Sequence, residues 1–129
     1  MMKARYAIAV SALVGAALGA AAVQNLHAQA KPPVYYIAEI EITNLEGWTK
    51  EYAPRAQALI RESGGRTLAS GQKVTSLEGE PPKTRVAVQV WESMDQLNAW
   101  RAKPLYKELN ELRQKYGKVR AFTVEGLPN

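Results

Sequence analysis

The chain has 129 residues, a formal net charge of +5, one histidine and no cysteine. That length accommodates a single domain of ordinary size behind a leader. Since the histidine, His27, falls in the leader read below, the domain itself has no His general base, thiol nucleophile, disulfide, His/Cys zinc site or haem ligation by His or Cys. Any metal would need carboxylates alone, no Asp-rich calcium loop is present to hold one, and no cofactor is expected.

Residues 1–5 contain Lys3 and Arg5 and no acid, residues 6–23 carry no charge, and Ala28-Gln29-Ala30 offers small residues where a signal peptidase cuts. A basic start, an apolar stretch and an A-x-A site predict a cleavable secretory signal over residues 1–30, removed before Lys31 or, alternatively, after Ala28. The expected location is periplasmic or secreted. The alternative is an uncleaved anchor, since the apolar run approaches the roughly 17–20 residues that span a bilayer. Its Ala and Gly content holds weakly in lipid and favours cleavage. No cysteine follows the run to take a lipid, and no Arg-Arg pair marks the twin-arginine route.

Losing Lys3 and Arg5 reduces 17 basic residues to 15 against an unchanged 12 acids, a net charge of +3. The bases are scattered, so solvated faces rather than a nucleic-acid surface are expected.

Lys31-Pro32-Pro33 reads as a linker, followed by a domain over residues 34–127. Residues 34–43 alternate with period two, which predicts a strand with Val34, Tyr36, Ala38, Ile40 and Ile42 on one face. Asn44 can cap a helix on which Trp48, Tyr52, Ala56, Leu59 and Ile60 share a face. Pro54 predicts a kink, or a fresh helix start near it, and Gly64-Gly65 predicts the stop. Residues 66–70 read as a second strand, with 74–77 continuing the extended chain after a turn. Residues 85–91 read as a third, with Val86, Val88 and Val90 on one face and Arg85, Ala87, Gln89 and Trp91 on the other.

Ser93-Met94-Asp95-Gln96 has the form of a capping box, and Leu97 and Trp100 share the following helical face. Pro104 can open another helix, carrying Leu105, Leu109, Leu112 and Tyr116 and ended by Gly117. Residues 118–124 read as a fourth strand. The order strand, helix, strand, strand, helix, strand is the split βαβ arrangement of an α+β, ferredoxin-like fold: a four-stranded antiparallel sheet with helices on one face. The all-apolar faces, including Val86, Val88 and Val90, are expected to lie under the helices. That would gather Tyr35, Glu39, Glu41, Arg85, Gln89 and Trp91 on the uncovered side.

Several stretches in order and spacing resemble the bacterial family called domain of unknown function 1330. They are Tyr36-Ile37-Ala38-Glu39, Trp48-x-x-x-Tyr52, Gly64-Gly65-Arg66, Leu77-Glu78-Gly79, the segment from Ser93 to Trp100, Pro104-x-Tyr106, Leu112-Arg113 and Val124-Glu125-Gly126. The resemblance implies a dimeric α+β barrel, in which two ferredoxin-like protomers press their open sheet faces together. That group includes cofactor-free monooxygenases, lactone isomerases and haem-degrading enzymes. Relatives that rely on a catalytic histidine have no counterpart residue in this domain. Members of the family often show Phe-Pro-Ser where this chain has Trp91-Glu92-Ser93, which alters the strand–helix junction.

Glu39 interrupts a mostly apolar strand and is the candidate acid or base, or else an ion-pair partner of Arg85 or a simply solvated carboxylate. Tyr52, Arg85, Trp91 and Trp100 are the candidate ligand-binding residues, although such aromatics are more often core or interface anchors. Arg85 and Arg113 could grip a carboxylate through forked bonds. Tyr106 reads as packing. The expected function is binding of a small organic molecule at or near a homodimer interface. Alternatives are a cofactor-independent isomerase, lyase or monooxygenase, and a non-catalytic structural or interaction protein.

Overall fold

The computed structural model describes residues 32–128. The expected signal over residues 1–30, its Ala28-x-Ala30 site and Lys31 of the linker lie outside the described residues. Among the described residues no helix is long and apolar enough to cross a membrane.

Strand β1 (Val34–Ile42) forms where the alternation predicts it, with Val34, Tyr36, Ala38 and Ile40 buried, Tyr35, Ile37 and Glu39 between them half-buried, and Glu41 exposed. Asn44 then turns the chain into a helical segment. Its Oδ1 accepts from the Gly47 amide at 3.0 Å, capping a short α1 (Leu45–Gly47). The next turn, Trp48–Tyr52, is π-helical, with the Ala53 amide donating to the Trp48 carbonyl five residues back. Regular α2 (Ala53–Glu62) resumes with Pro54 in its first turn. Pro54 has no amide to give, so the wide turn falls just before the position where a regular ladder would need one.

Gly64 and Gly65 end α2. Gly64 has φ +99°, its amide donates to the Arg61 carbonyl, and the Gly65 amide donates to Ile60. This pair of bonds is a Schellman stop, which needs a left-handed residue that glycine supplies cheaply. Gly65 has a second reason to be glycine, because a Cβ there would come within 2.5 Å of the Trp91 indole.

Strand β2 (Arg66–Gly71) pairs with β3 (Arg85–Trp91), with a register shift between Thr67 and Ala69. The extended stretch expected over 74–77 is instead part of an exposed loop between these strands, where Leu77 is 89% exposed. Two prolines and Gly79 near it leave nothing to hold a ladder.

Ser93 caps α3 (Met94–Ala102) by accepting from the Gln96 amide, and the Gln96 side chain reaches back to the Glu92 amide at 2.9 Å. Pro104 opens α4 (Pro104–Tyr116), and Gly117 begins β4 (Gly117–Glu125). The sheet order is β2-β3-β1-β4, all antiparallel, with the helices over one face. Four antiparallel strands and helices in this order make the fold α+β and ferredoxin-like.

The faces of β3 are the reverse of the expectation. Val34 pairs with Trp91, Tyr36 with Gln89, Ala38 with Ala87 and Ile40 with Arg85. Directly paired residues share a face, so Arg85, Ala87, Gln89 and Trp91 lie under the helices and Val86, Val88 and Val90 on the open side. Trp91 is 1% exposed and therefore belongs to the core, not to the open surface. The reason is the size of the indole: burying it removes more apolar surface than any of the three valines. Gln89 makes the burial tolerable by accepting from Trp91 Nε1 at 3.1 Å, which satisfies both polar groups.

Candidate functional site

A cavity of about 320 Å³ lies between the helix-side face of the sheet and α2 and α4. Ala38, Ala87, Leu59 and Ile60 give it an apolar lining, and Tyr36, Trp48, Tyr52, Trp100 and Tyr106 bring aromatic rings to it. Its polar groups are chiefly Arg113, Arg85, Gln89 and Asn110, and among the described residues no Asp or Glu lines it.

Arg113 is the centre of the polar end. Tyr106, Asn110 and Arg113 stand at i, i+4 and i+7 on α4, which puts them on one helical face above β1. The guanidinium lies beside the phenols of Tyr36 and Tyr52, close enough for its charge to act on both, and its Nη2 donates to Asn110 Oδ1 at 2.5 Å. Tyr52 reaches this cluster from the end of the π-helical turn. Its ring lies 4.6 Å from that of Trp48, and the preceding Glu51 carboxylate accepts from the Tyr116 hydroxyl, which ties the turn to α4. A wide turn shifts the side chains after it relative to a regular helix, and such turns recur at functional sites.

Burial raises the pKa of Tyr36 above its ordinary value, and Arg113 only partly opposes that. The same holds for Tyr52. Both phenols are therefore neutral hydroxyls at neutral pH. Burial works against the Arg113 charge, but Tyr52, Tyr36 and Tyr106 outweigh it and its pKa is raised. The cluster is a permanent cation flanked by neutral hydroxyls, and among the described residues no carboxylate lines the cavity beside it. It can hold an organic anion or stabilise an oxyanion.

A stack of rings adjoins this cluster. Trp100 lies 4.7 Å from Trp91, nearly parallel, and meets Tyr36 and Tyr106 edge-on at 5.6 and 4.8 Å.

Of the expected site residues, Tyr52, Arg85 and Trp100 line this cavity. Trp91 sits behind Trp100 rather than on the lining. Glu39 points to the opposite side of the sheet, where its partner is Arg120 at 3.0 Å and not Arg85. The cause is again the face of β3: with Arg85 under the helices, the basic residue opposite Glu39 comes from β4. Glu39 borders instead a broad groove of about 930 Å³ on the open face, together with Ile37, Val86, Val88 and Phe122. Arg85, at the start of β3, borders both hollows.

Sequence reasoning passed over Tyr36, Gln89 and Asn110 and took Tyr106 for packing. The available signal was the spacing on α4, which aligns a phenol, an amide and a guanidinium along one face.

The sequence matches the family described as domain of unknown function (DUF1330) over residues 33–127. The chain belongs to that family. No curated protein matches it. Among solved structures it is similar to a protein of unknown function from Rhodopseudomonas palustris, with a TM-score of 0.64 and 16% identity over 77% of this chain and 85% of that one. It is also similar to SnoaB, a cofactor-independent oxygenase from Streptomyces nogalater, with a TM-score of 0.56 and 10% identity over 76% and 96% of the two chains. A third is a dimeric protein of unknown function and ferredoxin-like fold from Bacteroides fragilis, with a TM-score of 0.51 and 13% identity over 72% and 95%. At these identities the likeness establishes the fold that this family member shares.

Proposed function

We propose that this family member binds a small organic anion in the cavity between sheet and helices, as an exported homodimer joined through its open sheet faces. The observation that carries the binding reading is the Arg113 cluster, a half-buried cation bonded to an amide and flanked by neutral tyrosine hydroxyls, in an aromatic cavity that no carboxylate lines among the described residues. Withdrawing a cation part-way from water without a counter-ion carries a cost, and an incoming anion offsets it. The ligand site is thus inside each protomer rather than at the dimer interface. Titration calorimetry with 2-naphthoate and with neutral 2-naphthalenemethanol tests it. The acid is expected to bind at least about tenfold tighter, the scale of one charge-assisted contact. Equal affinities, or no binding of the acid, would overturn the reading.

The dimer is supported by the apolar character of the open face and by the dimeric Bacteroides fragilis protein of the same fold. Light scattering at micromolar concentration checks it. Export rests on Lys3, Arg5, the uncharged run and Ala28-x-Ala30. Intact-mass analysis should give a chain starting at Lys31, and a mature species retaining residues 1–28 counts against cleavage.

A second reading is a cofactor-independent oxygenase, isomerase or lyase. The Arg113–tyrosine cluster suits an enolate or phenolate, and SnoaB, a cofactor-independent oxygenase, has the same fold. Among the described residues no histidine or carboxylate lines the cavity to take a proton, so binding ranks first. Oxygen uptake with 1,4-dihydroxy-2-naphthoate that depends on Arg113 would reverse that ranking.

A further inference from the structure

The cavity has a second cationic end. Arg85 pairs with Ile40, on the same face as Tyr36 and four residues farther along β1. At the usual rise of a strand, that backbone position lies about 13 Å along the sheet from the Tyr36–Arg113 cluster. Arg85 Nε is buried with no hydrogen-bond partner, the one such side-chain atom among the described residues. Buried donors of charged groups are normally paired, and one left open beside a cavity points to an acceptor that belongs there. Between the two arginines Ala38 and Ala87 are small and keep the sheet side flat, with Ser70 paired beside Ala87 and with Leu59 and Ile60 of α2 completing a mainly apolar lining.

We propose that the cavity takes an elongated, flat organic dianion. One carboxylate would be held by Arg113 with Tyr36 and Tyr52, and a second carboxylate at the far end by Arg85. The flat body would lie across Ala38 and Ala87. This rests on the reading of the cavity as an anion site and specifies what it selects: Arg113 supplies recognition of one acidic end, and Arg85 selects for length and for a second acid.

The test compares naphthalene-2,6-dicarboxylate with 2-naphthoate by titration calorimetry on the full folded protein. The dicarboxylate is expected to bind about tenfold tighter, and Arg85→Met should collapse that ratio to near one. Arg85→Lys, which retains charge but not the forked geometry, should leave an intermediate ratio, and circular dichroism checks that each variant is folded. If Arg85→Met does not fold, the wild-type ratio and Arg85→Lys still decide. Equal affinities in the wild type, or a full advantage kept in a folded Arg85 variant, would sink the dianion proposal while leaving the anion site standing. Failure of both acids to bind would remove the anion site and the dianion proposal together.

Discussion

The two faces of this sheet differ in a way that runs against simple hydrophobic patterning. The open face carries Tyr35, Ile37, Val86, Val88, Val90, Phe122 and Val124, together with the Glu39–Arg120 ion pair and, towards its margins, Glu41, Lys118 and Arg66. The covered face carries Tyr36, Arg85 and Gln89 along with the large aromatics. The more uniformly apolar side of β3 is therefore the one the helices leave uncovered. A face that only packs can be all valine, whereas a face that lines a cavity keeps polar groups, provided each finds a partner or a ligand. A half-exposed apolar surface of this breadth, with Phe122 44% and Val124 51% exposed, has the character of an interface.

The difference can be broken from either side. Trp91→Ala strikes the covered face, removing an indole that is 1% exposed and stacked on Trp100. The expected loss is about 3–5 kcal/mol, read as a fall in urea midpoint, which is much of the stability of an ordinary domain. Phe122→Glu strikes the open face. Light scattering should show a shift from dimer to monomer, while 2-naphthoate still binds because Phe122 lies across the sheet from the cavity. A dimer unaffected by that change would mean the interface is elsewhere.

The tyrosines sharpen the same contrast through pH. Tyr36 and Tyr52 have pKa values raised by burial above the ordinary 10.0. Below pH 10 they are neutral in both folded and unfolded chains, and the stability is fully present. Above it the unfolded phenols ionise while the folded ones resist, so stability is lost as the pH rises through the folded values. Urea midpoints should fall on the alkaline side, and less steeply in Tyr36→Phe. Between about pH 6 and 9 neither Arg113 nor these phenols change charge, so 2-naphthoate affinity should stay flat. A titration near pH 7 would mean that another group controls the site.

Much of the fold was legible because local signals agreed: the alternation of β1, the Asn44 and Ser93 caps, the Gly64-Gly65 stop and the Pro104 start all fall where the chain turns. The face of β3 was not legible. Its even positions are all valine, and nothing local records that Trp91 has Gln89 to satisfy its N–H. A strand face is decided by its cross-strand partners, so the choice between Val90 and Trp91 depends on β1 and on the space Gly65 leaves for an indole. That one inversion carried Arg85 to the wrong side and made Glu39 look like its neighbour. The site was half legible for the same reason: Tyr52, Arg85 and Trp100 stand out by residue type, but what unites them is Arg113 reaching Tyr36 across the gap from helix to sheet.

Glu39→Gln should have the mildest consequence. Glu39 has the appearance of an active-site acid, a carboxylate in the middle of a central strand. Yet it faces away from the cavity and is held by Arg120, whose side chain is 78% exposed. An ion pair with one end in solvent contributes about 0–1 kcal/mol, and glutamine keeps a hydrogen-bond acceptor for the same guanidinium. The urea midpoint should therefore move slightly or not at all, and 2-naphthoate affinity should match the wild type. In a dimer joined through this face Glu39 comes near the two-fold-related surface, so any effect that does appear belongs to association and should change with salt. Loss of ligand binding in a folded, dimeric Glu39→Gln protein would show that the working site is on the open face, and would reverse the roles assigned to the two sides of the sheet.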